Sequence, residues 1–294
     1  MIAPALFRKI VITVVCSSFI VAACLAAPAH AAGSGPGRPM RIVSLSPPIT
    51  ESLYLLGLKN NIVGVTIYCD RPAEARTKPV MGTVIEPDIE KIVQLRPDLV
   101  LAMSLTNPKV LTKMRSLGLK VLTHEIPDTF SGICDMFVWI GNATGTSLEA
   151  RRIVDTARSE VDAIRKKTAR FKKPRVLIEL GTKPFFVATR DFFVNDYLEF
   201  AGAVNIFQDA SSGSVGREEA IVRNPDVILI VTMGLSGDNE RRVWKRYSSV
   251  NAVRNGRIYI VDSNNVCSPT PLSFARSLKR ITGLLHPDDA GGWK

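Results

Sequence analysis

Residues 90–101 read EKIVQLRPDLVL and residues 218–229 read EEAIVRNPDVIL. Each phrase opens on a glutamate, runs through six residues, and closes on Pro-Asp and an apolar, mostly branched run. Ile92, Val93 and Leu95 in the first, and Ala220, Ile221 and Val222 in the second, give one apolar face to a short helix. The proline ends each helix, because it lacks an N–H and restrains the residue before it. LeuValLeu and ValIleLeu then read as buried strands. Two helix–turn–strand units of one design imply two α/β lobes of similar construction.

The flanking sequence extends each unit in the same style. RIVSLS from Arg41 reads as a strand, ITESLYLLG as a helix stopped by Gly57, and IVGV from Ile62 as a second strand leading into the loop TIYCDRPAEA. NPKVLTKMRSLG is a helix with Gly118 just past its end, and KVLTHE is the next strand. Strands alternating with helices indicate a largely parallel sheet. From Thr146 the pattern changes, for TSLEARRIVDTARSEVDAIRKKTARF holds neither Gly nor Pro. Thr146 and Glu149 have capping-box spacing. Leu148, Ile153, Ala157, Val161 and Ile164 recur on one helical face, so about 24 residues span roughly 36 Å as a strut. PRVLIEL, FFVA, a helix around VNDYLEFAG, RIYIVD and a closing helix after Pro271 build the second lobe. The expected segments are 1–31, a leader 32–40, a first lobe 41–143, the helix 144–171 and a second lobe 172–294.

The amino end reads as an export signal. Arg8 and Lys9 precede an apolar run from Ile10 to Ala27, and Ala29–Ala31 is a small-x-small cleavage site. Val21-Ala22-Ala23-Cys24 also matches a lipoprotein processing box, so cleavage after Ala31 gives a free protein and lipidation at Cys24 a tethered one. Removing the signal leaves 36 basic against 27 acidic residues, with Cys69, Cys134 and Cys267 as an odd thiol set. Export argues against nucleic acid as the partner of this positive surface, which suits anionic ligands or headgroups instead. Cys134 falls in the helical stretch ICDMFVWIG and reads as a buried hydrophobe.

Enzyme signatures are missing. The chain of 294 residues has no GxxxxGK[ST] loop, no GxGxxG after a strand, no HExxH and no CxxC. Only His124 and His286 survive signal removal, too few for a histidine-based metal site.

RIVSLSPPITESLYLLG, the loop YCDRPAEA, IEKIVQLRPDLVL, SLGLKV and the long central helix, in this order, resemble one family from Arg41 to His286. It is the helical-backbone (class III) periplasmic substrate-binding proteins of ABC importers, which deliver cobalamin, haem or ferric siderophores. The resemblance implies two three-layer α/β/α lobes joined by one backbone helix, with the ligand in the cleft between them. It implies no catalysis and no cofactor, the metal chelate being cargo. It also implies a monomer that meets a permease dimer with its ATPase subunits. Matching positions put at the cleft Pro47, the loop Tyr68, Cys69, Asp70 and Arg71, then Met103, Phe185, Phe186, Asn264 and Asn265. Tyr68 either caps the sheet or walls the ligand, and one of Phe185 and Phe186 packs inward while the other stacks on ligand. Arg71 pairs with Asp70 or serves an anionic group. Cys69 and Cys267 are inert, paired across the cleft, or in touch with a metal.

Departures from the family bear on the cargo. Cobalamin-binding members look to line the cleft with tryptophans, whereas the matching positions here are Val84 and Met103. Haem receptors use Tyr or His on iron, a part open to Tyr68. The Cys-Asp-x-Pro loop resembles the corrinoid type and puts a corrinoid first, ahead of a ferric siderophore and haem. An extracytoplasmic enzyme or sensor lobe on the same fold is the reading from another class. Glu90 and Glu218 either answer the helix dipole or, as the resemblance implies, meet arginines of the two permease subunits.

Overall fold

The computed structural model describes residues 40–231 and 236–288. The expected signal with Cys24 lies outside the described residues.

The first lobe runs β1 (Ile42–Ser44), α1 (Pro47–Leu55), β2 (Ile62–Val65), α2 (Ile89–Gln94), β3 (Leu99–Met103), α3 (Pro108–Ser116), β4 (Val121–His124) and α4 (Phe130–Thr144). Its sheet has the order β2-β1-β3-β4, every pair parallel. After α5 (Ser147–Thr168) the second lobe runs β5 (Arg175–Thr182), β6 (Phe185–Val187), α6 (Val194–Phe200), β7 (Val204–Asn205), α7 (Arg217–Arg223), β8 (Val227–Val231), α8 (Gly237–Trp244), α9 (Asn251–Arg254), β9 (Ile258–Val261), α10 (Ser263–Val266) and α11 (Pro271–Leu285). That sheet is ordered β6-β5-β8-β9, parallel except for β6, with β7 also on β5.

Strand alternation divides the core into three. Ile42, Leu99 and Leu101 of the first sheet, with Val176, Ile178, Val227 and Leu229 of the second, face one common core that also holds residues of α1, α4, α5 and α11. The alternate residues Val43, Val100 and Ala102 face an outer core under α2 and α3. Leu177, Ile228 and Ile230 do the same under α7 and α8. Thus α2 and α7 cover the outer faces of the two sheets. Because each helix leads into the amino end of the next strand, its own amino end lies toward the carboxyl edge of its sheet.

The duplicated phrase proves to be a clamp built twice. The backbone N–H of Arg41 donates to the Asp98 carboxylate at 2.7 Å, and that of Arg175 to Asp226 at 3.0 Å. The Arg41 side chain donates to the Leu95 carbonyl at 2.8 Å, and Arg175 to the Arg223 carbonyl at 2.8 Å. The arginine opening each lobe is thereby tied to the end of the helix and to the Pro-Asp turn. Proline alone does not end these helices. Arg96 and Asn224, one before each proline, are the only non-glycine residues with positive φ among those described, at 46° and 48°. The left-handed turn keeps each pre-proline residue out of the right-handed region that proline disfavours.

The central helix also corrects two expectations. Its buried stripe is Ala150, Val154, Ala157, Val161, Ile164 and Thr168, whereas Leu148 is 70% exposed and Ile153 half-buried. Thr146 makes no cap, because its hydroxyl bonds to that of Thr144 at 3.0 Å. A capping box does form at Thr270 and Ser273, ahead of α11. At 22 residues α5 is about 33 Å long, and it packs against α4 of one lobe and α11 and α6 of the other. The crossing with α4 is close: a Cβ on Gly141 would stand 2.5 Å from that of Ala150. Gly141→Ala should therefore cost about 1–3 kcal/mol by overpacking, despite alanine's better helix propensity. Thermal unfolding checks it, and a gain in stability would mean that the two helices separate at little cost.

Candidate functional site

In each lobe the carboxyl edge of the parallel strands gathers the loops, which is where open α/β sheets place ligands. In the first lobe these loops are stitched to one another. Ile67 N–H donates to the Gly82 carbonyl at 3.0 Å and Asn107 N–H to that of Ile85 at 2.9 Å. The buried Thr106 hydroxyl donates to the Val84 carbonyl at 2.8 Å, and Ser104 N–H to that of His124 at 2.9 Å. The stitched loops display Ile67, Tyr68, Ile85 and Leu105, each more than half exposed. Four large apolar side chains on adjoining turns make a rim that a broad apolar ligand can cover.

The loop after β2 meets the second lobe. Arg71 donates to the Ser268 carbonyl at 2.7 Å and pairs with Glu51 of α1 at 3.2 Å. Asn264 reaches the Asp70 carboxylate at 3.5 Å, and Thr270 reaches Glu51 at 3.5 Å. Arg71 therefore pairs with Glu51, not with Asp70, whose partner is Arg76 at 3.5 Å. Burial pushes the Glu51 carboxyl up, against the pull of Arg71 and Arg276. This latch fastens the two edges at one point.

Of the ten residues expected at the cleft, the structure joins Asp70 to Asn264 and bonds Arg71 to the Ser268 carbonyl, with Tyr68 exposed beside them. Cys69 points into the common core, its sulfur 3.1 Å from the hydroxyls of Thr50 and Thr66. Burial raises its thiol, and that of Cys267 is pushed up to about 12 by burial and by Asp262. Neither forms a disulfide, and burial disfavours the reactive thiolate of both. Met103 is a buried strand residue rather than a loop residue, and Val84 is buried as well. Pro47 is the first residue of α1 and half-buried. Phe185 packs inward against Trp244, with ring centroids 6.2 Å apart, while Phe186 is half-buried edge-on to Phe192. Asn264 is exposed in α10, which also carries Asn265.

Sequence reading missed Ile67, Ile85 and Leu105, although apolar residues inside polar loops were a usable signal. It also missed a buried charged cluster in the second lobe. The signal there was an acidic residue inside the apolar run RVLIEL. Glu179 of β5 is fully buried and accepts from the Trp244 indole N–H at 2.6 Å. Arg217 stands 3.7 Å from its other oxygen and pairs closely with Glu240. Burial, opposed by the Trp244 hydrogen bond and reinforced by Glu240, pushes Glu179 up to about 8. Among the described residues, no group of His, Cys, Asp and Glu could hold a metal ion. Concavities of about 720 and 490 Å³ lie along α5, one against α11 and one against α4, and are lined by none of the ten residues expected at the cleft.

Glu90 and Glu218 occupy the same place in their helices, the second residue of α2 and of α7, and both are exposed. Neither enters an ion pair among the described residues. Asp88 caps α2, accepting from Lys91 N–H at 3.1 Å, whereas Gly216 precedes α7 without a side-chain cap.

A family model described as periplasmic binding protein matches residues 42–265. The chain belongs to this family. It is 31% identical over 260 residues to an uncharacterized ABC transporter substrate-binding lipoprotein of Bacillus subtilis, covering 85% of this chain and 81% of that one. It is 26% identical over 234 residues to the vitamin B12-binding protein of Vibrio cholerae, covering 79% and 84%. Among solved structures, the periplasmic heme-binding protein RhuT from Roseiflexus sp. RS-1, in apo form, superimposes with a TM-score of 0.77 at 25% identity. That match covers 86% of this chain and all of the other. The family consists of substrate-binding proteins, which carry a transported ligand rather than a cofactor and work with an ABC permease and its ATPase. The two-lobe architecture is the one expected from the sequence.

Proposed function

We propose that this protein is the receptor for a corrinoid, captured between the two carboxyl edges and delivered to the inner-membrane permease. The observation that carries the reading is the exposed rim of Ile67, Tyr68, Ile85 and Leu105. A corrin offers a broad, largely apolar face to such a rim, and amide groups for the polar latch around Asp70, Arg71 and Asn264. The vitamin B12-binding relatives support the same choice. Haem is the second reading, favoured by the exposed phenol of Tyr68, an oxygen that suits ferric iron, and a ferric siderophore is the third. Export by the segment 1–31 belongs to this proposal, with cleavage after Ala31 or lipidation at Cys24. So do the boundaries 41–143, 144–171 and 172–294 for lobe, helix and lobe. Glu90 and Glu218 are the proposed docking points, and the protein acts as a monomer.

The test is thermal unfolding of the mature protein with cobalamin, cobinamide, haemin and several ferric siderophores, alongside its visible spectrum. At 100 times its Kd the true ligand stabilises by about 2.7 kcal/mol. Silence from both corrinoids with a shift by haemin would transfer the assignment to haem. Tyr68→Ala should weaken binding by about 1–3 kcal/mol and leave the melting temperature unchanged, because the ring is exposed. Intact affinity would remove Tyr68 from the ligand wall.

A further inference from the structure

The two docking helices are anchored differently. Aligned at Arg41 and Arg175, the lobes put Glu179 where the first has the core residue Leu45; aligned at the repeated phrase, Glu90 with Glu218, they put Arg217 where it has Ile89. In the second sheet Glu179 is flanked by Val187 of β6 and Ile230 of β8, both apolar. From α8 it faces Glu240 and the Trp244 indole, and from α7 it faces Arg217. The guanidinium lies over two rings, 4.6 Å from the Phe185 centroid and 4.9 Å from that of Trp244. One largely buried cation thus serves two buried carboxylates, an excess of one negative charge that goes with the raised pKa of Glu179. Burial of such a set is costly, and it is retained where it fixes a geometry that apolar packing would leave free.

What it fixes is the start of α7. Arg217 is the first residue of that helix and immediately precedes Glu218, and no side chain caps the turn. In α2 the Asp88 cap does that work and the matching Ile89 carries no charge. The anchor reaches β5 through Glu179, β6 through Phe185 and α8 through Glu240 and Trp244. We propose that Arg217 is the positioning residue for Glu218, held by Glu179 and Glu240, and that docking through the second lobe consequently depends on this buried charge set. The first lobe has no such dependence. This rests on the reading of Glu218 as a docking point.

The experiment measures association of the full-length receptor with its permease–ATPase complex in nanodiscs between pH 6 and 9. It compares wild type, Glu218→Gln, Arg217→Met, Arg217→Lys and Glu240→Gln. Wild type should bind more weakly as pH rises and Glu179 loses its proton beside Glu240. Glu240→Gln, which leaves one carboxylate for one guanidinium, should flatten that profile and keep the low-pH plateau. Arg217→Met should weaken association at least about fivefold at every pH, with Arg217→Lys partly restoring it. Should Arg217→Met fail to fold, the Glu240→Gln profile still decides. Weakened docking by Glu218→Gln together with a wild-type profile for Glu240→Gln overturns the positioning role and leaves the docking reading standing. Undiminished docking by Glu218→Gln overturns both.

Discussion

Glu90→Arg combined with Glu218→Arg should abolish uptake while ligand affinity and fold remain nearly those of the wild type. The two carboxylates stand at the amino ends of helices on the outer faces of the two sheets, both exposed. What each contributes to its own helix is about 0.3–1 kcal/mol from the dipole, so reversing both costs the fold little. Docking is a different matter. If each carboxylate meets a cationic site on one permease subunit, reversal replaces two attractions by two repulsions, and like charges facing across an interface cost several kcal/mol, on the order of a thousandfold in association. Single charge-conserving replacements, Glu90→Asp or Glu218→Asp, should be milder, for they shorten the reach and keep the sign. The measurements are uptake in cells, pull-down of the permease complex and ligand titration on one set of preparations. Normal uptake by the double mutant would leave the helix dipole as the only role of these residues. Lost uptake with equally lost ligand affinity would place them in the receptor's own binding step.

The architecture was legible because its signals are periodic and repeated. Alternating residues such as Ile42/Val43 and Val176/Leu177 fall on opposite faces of their sheets, as strand geometry requires, and the gap-free helical stretch became α5. The purpose of the repeated phrase was only half legible. Asp98 and Asp226 bind the N–H groups of residues more than 50 positions earlier, a tertiary bond that no local pattern announces. The same limit governed the site. Tyr68 lies on an exposed loop, but Cys69 beside it is buried, since a turn has no fixed period and only the packed loop decides which side chain turns inward. Arg71 found Glu51 rather than its neighbour Asp70, because α1 lies behind the loop after β2. Capping-box spacing at Thr146 failed because Thr144 offered its hydroxyl a nearer partner. The elements passed over, β7, α9 and α10, are two to four residues long, too short for periodicity to register.

The stability of the protein should fall as pH rises from about 5 to about 8, and Glu179→Gln should remove much of that fall. Burial behind Val187 and Ile230, with Glu240 beside it, raises the Glu179 carboxyl from an ordinary 4.5 to about 8. Below the lower value the group is protonated whether the chain is folded or not, and the fold bears no penalty. Between the two values the unfolded chain has released its proton while the folded chain still holds it, so each unit of pH favours unfolding further. Above the upper value both forms are ionised and the curve levels. At about 1.4 kcal/mol per unit the whole window is worth at most roughly 5 kcal/mol, a large part of the stability of most domains. Glu51, raised by burial in the same sense, adds to the wild-type slope, so the decisive quantity is the difference between wild type and variant. Glutamine keeps an oxygen for the Trp244 indole N–H and leaves Arg217 paired with Glu240, so the variant should be the more stable protein at pH 8 and no more stable at pH 4. Urea unfolding at intervals across that range gives both curves. Parallel slopes for the two proteins would mean that Glu179 is ionised in the fold throughout, with Arg217 compensating it in full.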